Sequence, residues 1–85
     1  MRKRQEIQET VKSYIEERID LEDLSEEINI FDEGIVNSLF AIEIMTFLEK
    51  IFAIKIGMED LDMANFQSIN AIVDFVQKKE AEKIK

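Results

Sequence analysis

An all-α fold, a small four-helix bundle, is predicted for this chain by three observations. Apolar residues recur at intervals of three or four in several segments, as in helices that bury one face. The chain has no proline and only two glycines, so few residues interrupt a helix. Its 85 residues, 46% of them hydrophobic, suit one compact domain over residues 1–85, with residues 1–3 and about 80–85 expected to fray.

The first helix is predicted from Arg4 to Ile19. Its apolar residues are four positions apart, which places them on one helix face. They are Ile7, Val11, Ile15 and Ile19. The remaining positions are mostly charged or polar, as expected for a face in solvent.

A long acidic loop is predicted from Asp20 to Asn37, because its apolar residues show no sustained helical period. A loop of this length is unusual in a compact domain unless it is ordered. We therefore expect Leu24, Ile28 and Phe31 to pin it to the core. Near its end, Gly34 follows two acids and can take the positive φ that a tight turn requires.

The second helix is predicted from Ser38 to Phe52. One arc of it should face the core: Ala41, Ile44, Met45, Leu48, Ile51 and Phe52. The opposite arc contains Leu39, Ile42, Glu43, Thr46 and Lys50, with Phe40 and Phe47 at its border. That arc is too apolar for an ordinary solvated surface, so an exposed patch of Leu39, Phe40 and Ile42 is a candidate partner site. Packing at the edge of the core is the alternative for Leu39 and Phe40.

An extended connector is predicted at residues 53–57, burying Ile54 or Ile56. A short third helix should lie within residues 58–66. The fourth helix follows Ser68, whose hydroxyl suits an N-cap. Its apolar residues have helical spacing: Ile69, Ile72, Val73 and Val76.

Composition restricts the chemistry that the chain can perform. It has no cysteine and no histidine, so thiolates, disulfides and the commonest general base and metal ligand are absent. No catalytic or phosphate-binding motif is present, and the acids around Gly34 lack the alternating order of an EF-hand. We predict no catalytic residues and no metal site, with a carboxylate-based enzyme or ion site as a remote alternative.

Charge and hydropathy predict the class of partner. The net charge is −8, and Arg18 is the only base between Glu16 and Glu43. Such a field repels nucleic acid and attracts basic protein surfaces. No apolar run is long enough to span a bilayer, and no apolar signal core follows the basic start. We expect a cytoplasmic protein that is a monomer.

Ser38 stands at the start of the second helix, where a serine is usually an N-cap. Asn37 can serve as the cap equally well, which would leave Ser38 on the first turn. A phosphate ester at that position would meet free backbone N–H groups and the positive end of the helix dipole. The residues themselves leave both roles open.

The segment Gly34-x-x-Asn37-Ser38-Leu39 closely resembles the attachment region of acyl carrier proteins. The resemblance continues through Glu43 to Phe52, and through residues 65–69 before the last helix. It implies that Ser38 receives 4'-phosphopantetheine from coenzyme A, transferred by a separate magnesium-dependent phosphopantetheinyl transferase. The thiol of that arm would carry acyl groups as thioesters between loading and acyl-transferring or synthase enzymes. The chain itself would not be an enzyme.

The same resemblance implies partner-facing positions around the attachment residue. They are Asn37, Leu39, Phe40, Ile42, Glu43 and Thr46. Two departures from the family pattern separate this chain from a housekeeping fatty-acid carrier. Asn37 replaces the usual aspartate, and the second helix has only two acids, Glu43 and Glu49.

The segment Asn37-Ser38-Leu39-Phe40-Ala41, with Asp60-Leu61-Asp62 and Asn65-Phe66 further along, looks more like discrete carriers of specialised pathways, of a polyketide or nonribosomal peptide type. A D-alanyl or other aminoacyl carrier is one alternative. A helical interaction module, in which Ser38 is only a cap, is the other.

Overall fold

A computed structural model describes residues 3–19, 25–34 and 36–84. These residues form three α-helices, α1 (Arg4–Ile19), α2 (Ser38–Phe52) and α3 (Ile69–Ile84). They contain no strand, so the all-α class is confirmed. The predicted bounds of the first two helices are also confirmed, and α3 begins where the fourth helix was expected. No helix in the described ranges has both the length and the apolar character needed to cross a membrane.

The predicted short third helix takes a different form. Two 3₁₀ helices, Met58–Asp60 and Met63–Asn65, occupy its place. Asp60 Oδ2 accepts a hydrogen bond from Gly57 N at 3.0 Å, and Asp62 Oδ1 accepts one from Ala64 N at 3.0 Å. Side chains that bond to nearby backbone in this way compete with α-helical hydrogen bonds. The bundle therefore contains three α-helices in its described part, joined by this irregular segment.

The core lies between the apolar faces of the three helices. Ile54 is buried in the connector after α2, as predicted, and Ser68 Oγ caps α3 by accepting from Ala71 N at 3.1 Å. The buried cluster comprises Ile7, Val11, Ile15, Ile30, Phe40, Ile44, Leu48, Phe52, Ile54, Phe66, Ile69, Ile72, Val73, Phe75 and Val76. Burying this set supplies the main driving force for folding.

Two predicted positions on α2 were wrong. Phe40, assigned to the exposed patch, is only 6% exposed, whereas Ile51, assigned to the core, is 42% exposed. Both lie on the same side of α2 as Phe47. Tyr14 of α1 covers the first part of that side, with its ring centroid 6.3 Å from Phe40 and 3.9 Å from Phe47. Ile51 lies one turn beyond this contact, so the same helix side is buried at one end and exposed at the other.

The loop before α2 is ordered where it is described. Ile28 and Phe31 pack against the core, as predicted, and Ile30 is fully buried; Leu24 lies outside the described residues. Ile30 N donates to Gln67 O at 2.7 Å, which ties the loop to the segment before α3. Gly34 has φ +73°, the positive value predicted for the turn.

A largely buried ion pair fixes the 3₁₀ segment to α3. Lys79 Nζ lies 2.6 Å from Asp60 Oδ2. The bond from Lys79, helped by the Gly57 N–H, lowers the pKa of the Asp60 carboxyl below 3.8, and Asp60 raises the pKa of Lys79 above 10.5. The pair therefore contributes its full stabilisation at pH values between the ordinary pKa values of the two groups, 3.8 and 10.5. Its contribution is lost as pH falls through the lowered pKa of Asp60, or rises through the raised pKa of Lys79.

We expect Asp60→Asn to lower the free energy of unfolding at pH 7 by about 1–3 kcal/mol, because a largely buried ammonium loses its nearest counter-charge and keeps the half-exposed carboxylate of Glu82 at 3.7 Å. Asp74→Asn is the matched control, since it removes an exposed carboxylate paired with Arg4. It should cost less than about 1 kcal/mol. Urea unfolding measures both. Equal losses of unfolding free energy in the two variants would contradict the role given to Asp60. So would a difference in unfolding free energy between wild type and Asp60→Asn that stays the same at strongly acid pH, where the Asp60 carboxylate is protonated.

Candidate functional site

Asn37 caps the N-terminus of α2. Its Oδ1 accepts from Leu39 N at 3.1 Å and from Phe40 N at 3.3 Å. Its backbone is extended, with φ −113° and ψ −179°, as an N-cap requires. The cap therefore belongs to Asn37, and Ser38 is the first residue of the helix.

Hydrogen bonds within the loop hold the segment before Asn37 in a defined conformation. Asn29 Oδ1 accepts from Phe31 N at 3.1 Å and from Asp32 N at 3.0 Å. Gly34 N then donates to Phe31 O at 3.1 Å, and Val36 N donates to Ile30 O at 3.2 Å. Because Ile30 is also buried, this network holds the start of α2 in a fixed place relative to the core.

The exposed apolar surface beside Ser38 is smaller than predicted. Leu39 is 62% exposed and Ile42 is 53% exposed, and we call this pair the α2 patch. Phe40 is buried in the core. Thr46 is exposed one turn further along, and its Oγ1 donates to Ile42 O at 3.2 Å. The alternative of packing at the edge of the core therefore holds for Phe40 and not for Leu39.

An open depression of about 570 Å³ lies where the end of α1, the loop and the first turns of α2 meet. Most of its lining is apolar, with one carboxylate and the amide of the cap. The lining residues are Ile19, Gly34, Val36, Asn37, Leu39, Phe40 and Glu43. Its position at the start of α2 places it beside the backbone of Ser38.

Both acids of α2 bond to other parts of the chain. Glu43 Oε1 accepts from Arg18 Nη2 of α1 at 2.9 Å. Glu49 Oε2 accepts from the backbone N–H of Ile56 at 2.9 Å, which holds the connector after α2. Neither pairing was predicted from the sequence. A signal for the first was present, because Arg18 is the only base in an acidic stretch.

An aromatic cluster supports the Arg18 side chain. Its guanidinium carbon lies 5.5 Å from the centroid of the Tyr14 ring, within the range of a cation–π contact. Tyr14 in turn stacks on Phe47 of α2, with an interplanar angle of 19°.

Among the residues that the structure describes, no group of three or more acidic side chains is arranged to hold a metal ion.

Residues 5–76 match the family model described as a phosphopantetheine attachment site. The chain belongs to this family. The match runs from the first turn of α1 into α3 and includes the capped start of α2. Members attach 4'-phosphopantetheine covalently and carry groups for partner enzymes without catalysing reactions themselves. The predicted family, the predicted cofactor and the prediction that the chain is not an enzyme are thereby confirmed.

One relative among characterised proteins is the D-alanyl carrier protein of Streptococcus uberis. It is 30% identical over 64 residues, which are 73% of this chain and 81% of the relative. This similarity supports membership of the carrier family independently of the family model.

The Asn37 cap makes a testable contribution to the fold. We expect Asn37→Ala to lower the free energy of unfolding by about 1 kcal/mol, because two backbone N–H groups lose their acceptor. Asn37→Asp should match or exceed wild type, since a carboxylate keeps the acceptor and adds a favourable charge near the helix dipole. Urea unfolding compares the three proteins. The assigned cap would be contradicted if Asn37→Ala had the same free energy of unfolding as wild type, or if Asn37→Asp had a lower one.

Proposed function

We propose that Ser38 is the residue that receives 4'-phosphopantetheine and that the chain is an acyl carrier protein. The observation that carries the proposal is the Asn37 cap, which releases Ser38 from capping and makes it the first residue of α2 within the region matched by the family model. A phosphodiester at this position is stabilised by the positive end of the helix dipole. When attached, the arm supplies a terminal thiol that holds acyl groups as thioesters.

The residues around Ser38 fit such an arm. The depression beside the start of α2 is open and mostly apolar, so it offers a surface along which the arm's aliphatic part can lie. Asn37 and the closed loop before it keep the attachment point fixed while the arm itself moves. The carrier's task is therefore positional: it presents a tethered group, and its partners provide the reacting residues.

The partner face of this carrier comprises the α2 patch together with Asn37, Glu43 and Thr46. Phe40 is excluded from that face because it is buried in the core. A phosphopantetheinyl transferase and the enzymes that load and remove the acyl group would dock here, with apolar contact at Leu39 and Ile42 contributing more than charge. The proposal includes a single carrier domain over residues 1–85, a monomeric state and a cytoplasmic location.

A second candidate is an aminoacyl carrier. It is favoured by the similarity to the D-alanyl carrier protein of Streptococcus uberis. The two candidates share the arm and differ in the carboxylic acid that becomes the thioester. Offering the arm-bearing protein D-alanine with ATP and a D-alanine-activating enzyme, or malonyl-CoA with an acyltransferase, separates them by intact mass.

The attachment residue is tested with coenzyme A, magnesium and a phosphopantetheinyl transferase. Wild type should gain the mass of one arm, and Ser38→Ala should gain none. Ser25→Ala is the matched control, because Ser25 is exposed in the loop and should leave the modification intact. No mass gain on wild type with several transferases would overturn the proposal and favour a helical interaction module. A gain on Ser38→Ala would move the attachment site elsewhere.

The α2 patch is tested by replacing one exposed isoleucine at each end of α2. Ile42→Ser should raise the transferase's KM by roughly 5- to 30-fold, the size expected for an apolar residue at the centre of an interface. Ile51→Ser is the control, since Ile51 is similarly exposed but lies far along the helix from Ser38. The transferase's KM for Ile51→Ser should stay within about twofold of its KM for wild type, because residues outside an interface contribute little to binding. Equal KM values for the two variants would refute the α2 patch as the partner face.

A further inference from the structure

We propose that Arg18 is a specificity-determining residue, which neutralises Glu43 on the partner face and so weakens docking by partners that present a basic surface there. The inference rests on the proposed function, because it concerns the surface beside Ser38. It assigns a role in partner choice to a residue of α1, outside the attachment segment.

The pairing of Arg18 with Glu43 is organised by more than one contact. The guanidinium donates to Glu43 at 2.9 Å and lies against the face of the Tyr14 ring. Tyr14 is itself held by stacking on Phe47, with ring centroids 3.9 Å apart. The arginine is therefore oriented before any partner arrives, so less side-chain entropy is lost in keeping it beside Glu43.

The location of the pair makes it relevant to docking. Glu43 lines the depression at the start of α2, together with Asn37 and Leu39. The side chains of Arg18 and Glu43 are 48% and 41% exposed, so an approaching protein meets both charges at once. A base on the partner would have to share the Glu43 carboxylate with a guanidinium that is already bonded to it.

The rest of α2 does not replace the lost negative charge. Its other acid, Glu49, accepts the Ile56 N–H at the far end of the helix. Lys50 beside it is exposed and adds positive charge there. Among the described residues of α1 and α2 near Ser38, the surface therefore combines the α2 patch with a balanced charge pair, although the chain as a whole carries −8. Such a surface matches a partner whose contact region is apolar.

The expected effect is modest, because exposed ion pairs contribute about 0.2–1 kcal/mol. Removing the arginine should expose the full charge of Glu43 to a basic partner. The affinity for that partner should then rise by roughly 1.4- to fivefold, the equivalent of that energy range. At high salt the gain should disappear, since the Debye length falls to about 3 Å at 1 M ionic strength.

The test measures the Kd of the chain, without coenzyme A, for a phosphopantetheinyl transferase whose carrier-docking surface is basic. Arg18→Gln should tighten binding at low salt, and the double variant Arg18→Gln with Glu43→Gln should return to the wild-type value. Arg4→Gln is the matched control, because it makes the same change in net charge at the other end of α1, where Arg4 pairs with Asp74. It should leave Kd unchanged.

Three results would overturn the proposal. Weaker binding of Arg18→Gln would show that Arg18 contacts the partner favourably. Unchanged binding would show that Arg18 has no part in docking. Tighter binding that persists in the double variant, or that Arg4→Gln reproduces, would show an effect of net charge alone. The measurement needs no attached arm, so its failure is distinct from failure of the mass test on Ser38, which judges the proposed function separately.

Discussion

The position at which α2 begins determines the arrangement of everything around it. The Asn37 side chain bonds to the second and third backbone N–H groups of the helix and so fixes Ser38 as its first residue. Since a helix turns about 100° per residue, fixing the start also fixes which side chains face inward. Ala41, Ile44 and Leu48 are then buried, while Leu39 and Ile42 point to solvent. One capping residue thus places Ser38 and the α2 patch together.

The cap can act only because the loop before it is itself held. Ile30 is buried and its backbone N–H bonds to Gln67 at the entrance to α3, so the loop is anchored to an element distant in sequence. Gly34, at φ +73°, then reverses the chain without the steric cost that other residues would incur. If the arm is attached to Ser38 as proposed, the described part of this loop gives the tethered group a fixed origin.

Features that depend on local sequence could be predicted, and features that depend on distant contacts could not. The bounds of α1 and α2 follow from apolar spacing, and cap chemistry limits the N-cap of α2 to Asn37 or Ser38; both signals act over a few residues. The choice of Asn37 needed the structure. Phe40 and Ile51 were misplaced because helical position alone does not show where Tyr14 covers α2. The two 3₁₀ helices replaced a helix because Asp60 and Asp62 bond to neighbouring backbone, a competition that hydrophobic spacing does not register.

The role of charge in this carrier depends on the distance at which a partner feels it. At physiological ionic strength the Debye length is about 8 Å, so an incoming protein senses the summed negative charge of the nearby surface before it touches any residue. That field steers encounter and raises the association rate of basic proteins. On the partner face proposed above, the charges of Arg18 and Glu43 would balance each other at contact, and the lifetime of the complex would depend on the apolar area that Leu39 and Ile42 bury. Under that proposal, attraction at long range and recognition at short range are carried by different residues, which would allow an acidic protein to select an apolar docking surface.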